Sequence, residues 1–182
     1  MTTTFRPIRD EEWPVAGDLA ARSLTGLFVY VGDDEDARLE AARNAYLPMP
    51  REHDLVWGAF EGDRLVGMAR AVEPGSCWCD GVEAATDDEG VLAYRRWLIE
   101  HHPSEPHWWI GPVAVEPELR SRGIGTEMMR NLMDDIRSRD GGEVWLEAEP
   151  ENESLYLRLG FEIVERGHDP DGIAFAFMKF LP

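Results

Sequence analysis

His107–Arg137 reads HWWIGPVAVEPELRSRGIGTEMMRNLMDDIR, which spells a strand, a turn, a glycine-bearing loop and the start of a helix, in that order. Trp108–Val115 is rich in aromatic and β-branched residues, the composition of a strand. Gly111-Pro112 interrupts it. Proline has no N–H to give to a ladder, so a bulge or a splayed edge is predicted there. After Glu116-Pro117 the loop RSRGIGT runs from Arg120 to Thr126. Ile124, Met128, Leu132, Met133 and Ile136 then recur at helical spacing, with Glu127, Arg130, Asn131, Asp134 and Arg137 largely on the other faces.

A loop of this kind at a helix start suits an anion. The first N–H groups of a helix have no internal acceptor, and the helix dipole adds partial positive charge. Gly123 and Gly125 lack a Cβ and let a phosphate approach the main chain, while Arg120 and Arg122 add two cations. A lone Gly-x-Gly equally serves as a plain turn. Two other phosphate motifs fail. A dinucleotide fingerprint needs a third glycine where Met128 stands, and a Walker loop needs a lysine, but the only lysine is Lys179.

Arg120-Ser121-Arg122-Gly123-Ile124-Gly125 resembles the Arg/Gln-x-x-Gly-x-Gly/Ala signature of the GNAT superfamily, the acyl-CoA-dependent N-acetyltransferases. A strand EVWLEAE (Glu143–Glu149) and the run ENESLYLRLGF (Glu151–Phe161) follow. That run is similar to the Asn-x-x-x-Tyr-x-x-Leu-Gly-Phe ending common in these enzymes. The resemblance covers Trp108 to Phe161 and implies one α/β (α+β) domain over residues 1–182. Its mixed central sheet would have about six to seven strands flanked by helices, splayed at a CoA cleft. It also implies acetyl-CoA as co-substrate, held by the main chain of Val113, Ala114 and Val115, by the loop Arg120, Ser121, Arg122, Gly123, Ile124, Gly125 and Thr126, and by Asn152.

Composition narrows the partners. Hydrophobic residues make up 43% and charged residues 30%, the profile of a folded globular chain. No run reaches the 18 or so apolar residues of a membrane span. MTTTFRPIRDEEW lacks the apolar core of a signal peptide, so a cytoplasmic location is expected. With 36 acidic against 18 basic residues the net charge is −18, which repels nucleic acid and anionic membranes and attracts a cationic amine. Cys77 and Cys79 cannot complete a zinc site with sulfur alone, and His101, His102 and His107 match no zinc spacing; no metal is expected.

The rest of the chain fills in around this centre. A short strand Thr4–Ile8, placed at an edge by Pro7, precedes a helix capped by Asp10 and running to about Leu24. A second helix spans Asp33–Leu47, with Asp33, Asp34, Glu35 and Asp36 in its first turn. Leu55–Phe60 and Arg64–Val72 are strands joined by Glu61-Gly62-Asp63. In the simplest family members the next strand follows a tight turn. Here a helical insertion at about 74–106 intervenes, with an amphipathic helix from about Asp87 to His102 that is suited equally to covering an acceptor pocket, making a subunit contact or lying as a plain surface helix. Asp140-Gly141-Gly142 ends the central helix. Asn152 fits the N-cap of Glu153–Leu159, Gly160 closes that helix, and Phe161–Arg166 with Ile173–Phe180 form the last hairpin.

Acetyl transfer to an amine needs a base, an oxyanion donor, an acid for the leaving thiolate and alignment. The resemblance places Tyr156 beside the CoA sulfur as the acid. Glu147 is the candidate base, with Glu149 and His107 behind it and a water relay as the alternative. A backbone N–H within Val113–Val115 would be the oxyanion donor. A catalytically silent acyl-CoA sensor or interaction module is the competing function, against which Tyr156 argues. The acceptor, a small molecule or a peptide amine, is not legible, and a homodimer is left open.

Overall fold

In the computed structural model of the chain, residues 2–28, 31–48, 50, 52–75, 89–139 and 141–181 are described. Seven strands form one sheet: β1 (Thr3–Pro7), β2 (Leu55–Glu61), β3 (Arg64–Val72), β4 (Trp108–Val115), β5 (Val144–Ala148), β6 (Glu162–His168) and β7 (Ala174–Phe180). Their order is β1-β2-β3-β4-β5-β7-β6, antiparallel everywhere except between β4 and β5. Around it stand α1 (Trp13–Ser23), α2 (Glu35–Tyr46), α3 (Glu89–His101), α4 (Ile124–Ser138) and α5 (Glu153–Arg158). This is the mixed sheet flanked by helices that the sequence predicts.

Strand alternation sorts the side chains onto two faces. One face carries Ile110, Leu146, Ala148 and Met178, which pack against Ile124, Met128, Leu132 and Ile136 of α4 and against Tyr156 of α5. On the other face, Leu65, Met68 and Ala114 lie under Trp13, Ala16 and Leu19 of α1. Farther along that face, Val72, Trp109, Phe175 and Phe177 receive Leu98, Tyr94 and Trp97 of α3. α4 thus buries the stripe its periodicity predicts, with Met129 added to it.

Several local expectations need correction. The first predicted helix divides into a 3₁₀ turn at Asp10–Glu12 and α1, which begins at Trp13 with Pro14 in its opening turn, where a missing N–H costs nothing. Asp10 is not a cap. Arg9 precedes the 3₁₀ turn, and the Glu12 carboxylate accepts from the Arg9 N–H at 3.0 Å. α2 is capped by Asp34, whose Oδ1 accepts from the N–H groups of Asp36 (3.0 Å) and Ala37 (3.1 Å), so Asp33 and Asp34 lie outside the helix. Within the insertion, α3 stands close to its predicted range. Cys77, Cys79, Asp87 and Asp88 lie outside the described residues.

What positions the site is a fault in the middle of the sheet. Between β3 and β4 the register jumps from Ala69↔Val113 to Ala71↔Ile110, so β4 carries an extra residue at Gly111-Pro112. The parallel pairing of β4 with β5 consists of Trp108↔Val144, Trp109↔Trp145 and Ile110↔Leu146, and then stops. β5 continues beside β7 through Ala148↔Ala176. Beyond Ile110 the two central strands part.

Candidate active site

The parting leaves one edge of β4 open. The N–H of Glu116 donates to Val66 O of β3 at 3.0 Å, so alternation turns the main chain of Ala114 toward β3 and that of Val113 and Val115 toward the gap. Consistent with this, a Cβ built on Gly67 of β3 would meet Ala114 O at 3.3 Å. Val115 O, on the gap side, accepts from Arg120 Nε at 3.2 Å.

At the end of that edge the loop curls into α4 through two left-handed residues, Ser121 (φ 62) and Gly123 (φ 82). Gly123 O accepts the first bond of the helix, from the Glu127 N–H at 3.0 Å. The N–H groups of Ile124, Gly125 and Thr126 therefore have no acceptor among the described residues. A Cβ on Gly125 would reach only Val115 Cγ2, at 3.7 Å. Arg120 also donates to Ser23 O of α1 (3.3 Å), and Arg122 to Glu118 O (3.2 Å); both are exposed and braced by main-chain carbonyls. Between this helix start and Thr3 and Phe5 of β1 lies a depression of about 440 Å³, with Arg122 and Arg130 on its lining.

Tyr156 approaches from the α4 side. Its residue is 7% exposed, and its ring stands edge-on to Phe161 with centroids 5.9 Å apart. The hydroxyl makes no hydrogen bond among the described residues. Burial pushes the phenol above its usual range, and the nearby Glu149 carboxylate adds to the rise. Asn152 precedes α5 but makes no capping hydrogen bond. Its amide donates to Glu149 Oε2 at 3.5 Å, so the predicted cap is not formed.

Glu147 stands on the opposite face of β5, one residue past the last pair with β4. Its Oε2 accepts from the Tyr94 hydroxyl of α3 at 3.0 Å. Burial pushes the carboxyl up to about 7; the Tyr94 hydrogen bond pulls against this, Asp169 and Glu149 push up by like charge, and His101 pulls down. Burial also pushes the Tyr94 phenol well up. Of the two reserves, Glu149 is half-buried, with a carboxyl raised first by burial and then by Glu151. His107 is remote. It precedes the paired end of β4, four residues or roughly 13 Å of strand before Gly111, and its Nδ1 is engaged by Glu105 O at 2.8 Å.

Sequence reasoning missed Tyr94 as a site residue. The sequence shows it on an amphipathic helix, but its contact with Glu147 spans 53 residues and depends on how α3 docks. Among the described residues no three His, Asp or Glu side chains gather as a metal would require. No described helix is long and apolar enough to cross a membrane.

The site is thus a sheet opened between a bulged strand and its parallel neighbour, with an unsatisfied helix start at its mouth. The chain belongs to the acetyltransferase (GNAT) family, whose model matches residues 13–161. It is 30% identical over 171 residues to mycothiol acetyltransferase of Rhodococcus jostii, covering 86% of this chain and 51% of that protein. The chain thus spans about half the length of that relative. Among solved structures it resembles one described as histone acetyltransferase HPA2 and related acetyltransferase, from Corynebacterium glutamicum, with TM-score 0.69, 20% identity and coverage of 100% of this chain and 99% of that one. It also resembles the yncA protein of Salmonella typhimurium, solved with its cofactor acetyl-CoA, with TM-score 0.58, 15% identity and coverage of 99% and 94%.

Proposed function

We propose that this chain transfers an acetyl group from acetyl-CoA to a primary amine by direct attack within a ternary complex, the acceptor being a small molecule or a peptide. One observation carries the proposal. β4 leaves β5 after Ile110, and the gap-side main chain of Val113 and Val115 is joined by one short loop to the unpaired N–H groups that open α4. These donors fit an extended amide-bearing arm ending in a pyrophosphate.

Val113, Ala114 and Val115 hold the pantetheine arm, with Val113 and Val115 pairing as an added strand would. Ser121, Arg122, Gly123, Ile124, Gly125 and Thr126 hold the pyrophosphate at the helix start, with Arg120 flanking it and Asn152 toward the arm. Bound acetyl-CoA supplies the activated acyl group as a thioester. A gap-side N–H of β4 meets the carbonyl oxygen as it gains charge.

Glu147 takes the proton of the incoming ammonium at its carboxylate, and a value of about 7 keeps enough carboxylate present at neutral pH. Tyr156 gives its proton to the departing sulfur. Burial keeps the phenol protonated at neutral pH, and it raises the basicity of a thiolate formed beside it as well. Glu147 and Tyr156 lie on opposite faces of the sheet, so the amine approaches from the α3 side and the thioester from the α4 side. The net charge of −18 and the carboxylates Glu147, Glu149 and Asp169 favour an acceptor that arrives as a cation.

Thiol release from acetyl-CoA across a panel of amines tests this. Turnover is expected with at least one amine, and Tyr156→Phe should lower kcat about 10²–10⁴-fold with acetyl-CoA affinity by calorimetry unchanged. A protein that binds acetyl-CoA yet releases thiol with none of them is a silent binder instead. No thermal stabilisation by millimolar acetyl-CoA would sink both functions.

A further inference from the structure

α3 belongs to the insertion, yet it reaches the chemistry. Tyr94, Trp97, Leu98 and His101 fall at i, i+3, i+4 and i+7, one side of a helix. Leu98 is fully buried. Trp97 packs on Phe175 and Phe177 of β7, with ring centroids 4.6 Å and 5.6 Å apart, and His101 stacks on Phe177 at 5.6 Å and 17°. Phe177 is the cross-strand partner of Glu147. The Tyr94 ring in turn leans on Trp97, with centroids 5.6 Å apart. A chain of rings therefore runs from β7 through α3 and ends in a hydroxyl directed at Glu147 Oε2. The other carboxylate oxygen, Oε1, makes no hydrogen bond among the described residues.

We infer that Tyr94 is a positioning residue for the acetyl transfer: it clamps one oxygen of Glu147, leaves the other for the acceptor's proton, and sets the pH at which Glu147 works. The inference rests on the proposed role of Glu147. The charged and titratable groups facing Glu147 are Tyr94 and His101 from α3, Asp169 from the β6–β7 connection and Glu149 from its own strand, with Tyr46 of α2 close to Tyr94. Only Tyr94 makes a hydrogen bond to it among the described residues. A phenol donating to a carboxylate stabilises the charged form and holds its pKa down. Losing that donor must raise it.

The experiment compares wild type, Tyr94→Phe, Glu147→Gln and the double variant in the pH profile of kcat/KM for the best amine. In parallel, ¹³C NMR titrates the Glu147 carboxyl in the first two proteins. In Tyr94→Phe the acid limb and the Glu147 titration should both move up by about one pH unit. Below the limb, activity falls about tenfold, while the KM for acetyl-CoA stays within about twofold. The double variant should be no slower than Glu147→Gln, because Tyr94 acts only through Glu147. An unmoved or lowered Glu147 titration in Tyr94→Phe overturns the inference, as does a double variant in which the two losses add. An acid limb that survives in Glu147→Gln removes Glu147 as the base. That outcome fails the underlying mechanism, and the NMR shift still reports separately on whether Tyr94 governs the carboxyl.

Discussion

At Gly123 the backbone sits at φ 82 and a Cβ would touch nothing within 4 Å, whereas at Gly125 φ is ordinary and a Cβ would rest on Val115 Cγ2 at 3.7 Å. The two glycines therefore serve different ends. Gly123 permits the left-handed turn into α4; Gly125 keeps the surface of the helix start flat. Gly123→Ala should lose about 1–2 kcal/mol in urea denaturation, since an L-residue is strained in that region whatever the room around it. Gly125→Ala should hold its stability, and Gly125→Val should raise the KM for acetyl-CoA with the fold intact. Equal destabilisation by both alanines would contradict this division. The sequence alone treats the pair alike, because conformation is not written in a Gly-x-Gly string. Glu147 and Tyr156 could be nominated from the sequence, one from its strand beside the expected cleft and the other from the resemblance of its motif. The Tyr94–Glu147 hydrogen bond was not, because a contact across 53 residues depends on docking rather than local pattern. Asn152 shows the same limit from the other side: its helix start was visible in the sequence, but its amide turns to Glu149 instead of capping the helix.

Among the elements, α4 was the most legible because its apolar period matches a helix over four turns and its buried side is continuous from Ile124 to Ile136. Leu132, fully buried at the centre of that side, should cost about 2–5 kcal/mol when cut to alanine, read from the denaturation midpoint at unchanged slope. A loss under ~1 kcal/mol would mean that α4 is not packed as described. The strands were likewise visible, β3 and β4 to the residue, because alternation and turn glycines bound them. Their order was not. β7 inserts between β5 and β6, an order that strand alternation and turn glycines do not give. That choice falls to burial: β7 carries Phe175, Ala176, Phe177 and Met178, buried on both faces, whereas β6 is largely exposed and suits an edge. The segment ahead of α1 shows what short-range signals miss: Asp10–Glu12 tightens to a 3₁₀ turn where the Glu12 carboxylate turns back to the Arg9 N–H.

Over the whole molecule the division of information follows the division of labour. The half proposed to hold acetyl-CoA carries motifs, and its architecture could be anticipated from Trp108 to Phe161. The proposed acceptor side would draw on α1, α2, α3 and the β6–β7 connection, four distant pieces without a shared local pattern, which is why no acceptor emerges from the string. Charge is the one property of the whole chain that speaks to it. The parted strands have a further, mechanical consequence. Four strands lie on one side of the sheet's midline and three on the other, and the main-chain suture between them is three residue pairs long. A ligand laid along β4 would lengthen that suture, acting as a removable rung. The amide protons of Val113 and Val115 should then exchange with solvent quickly in the free protein and at least about tenfold more slowly under saturating acetyl-CoA. Identical exchange in both states would mean that the rung is never placed. If it is, each turnover tightens the frame as acetyl-CoA enters and slackens it as CoA departs, so the sheet itself keeps time with the reaction.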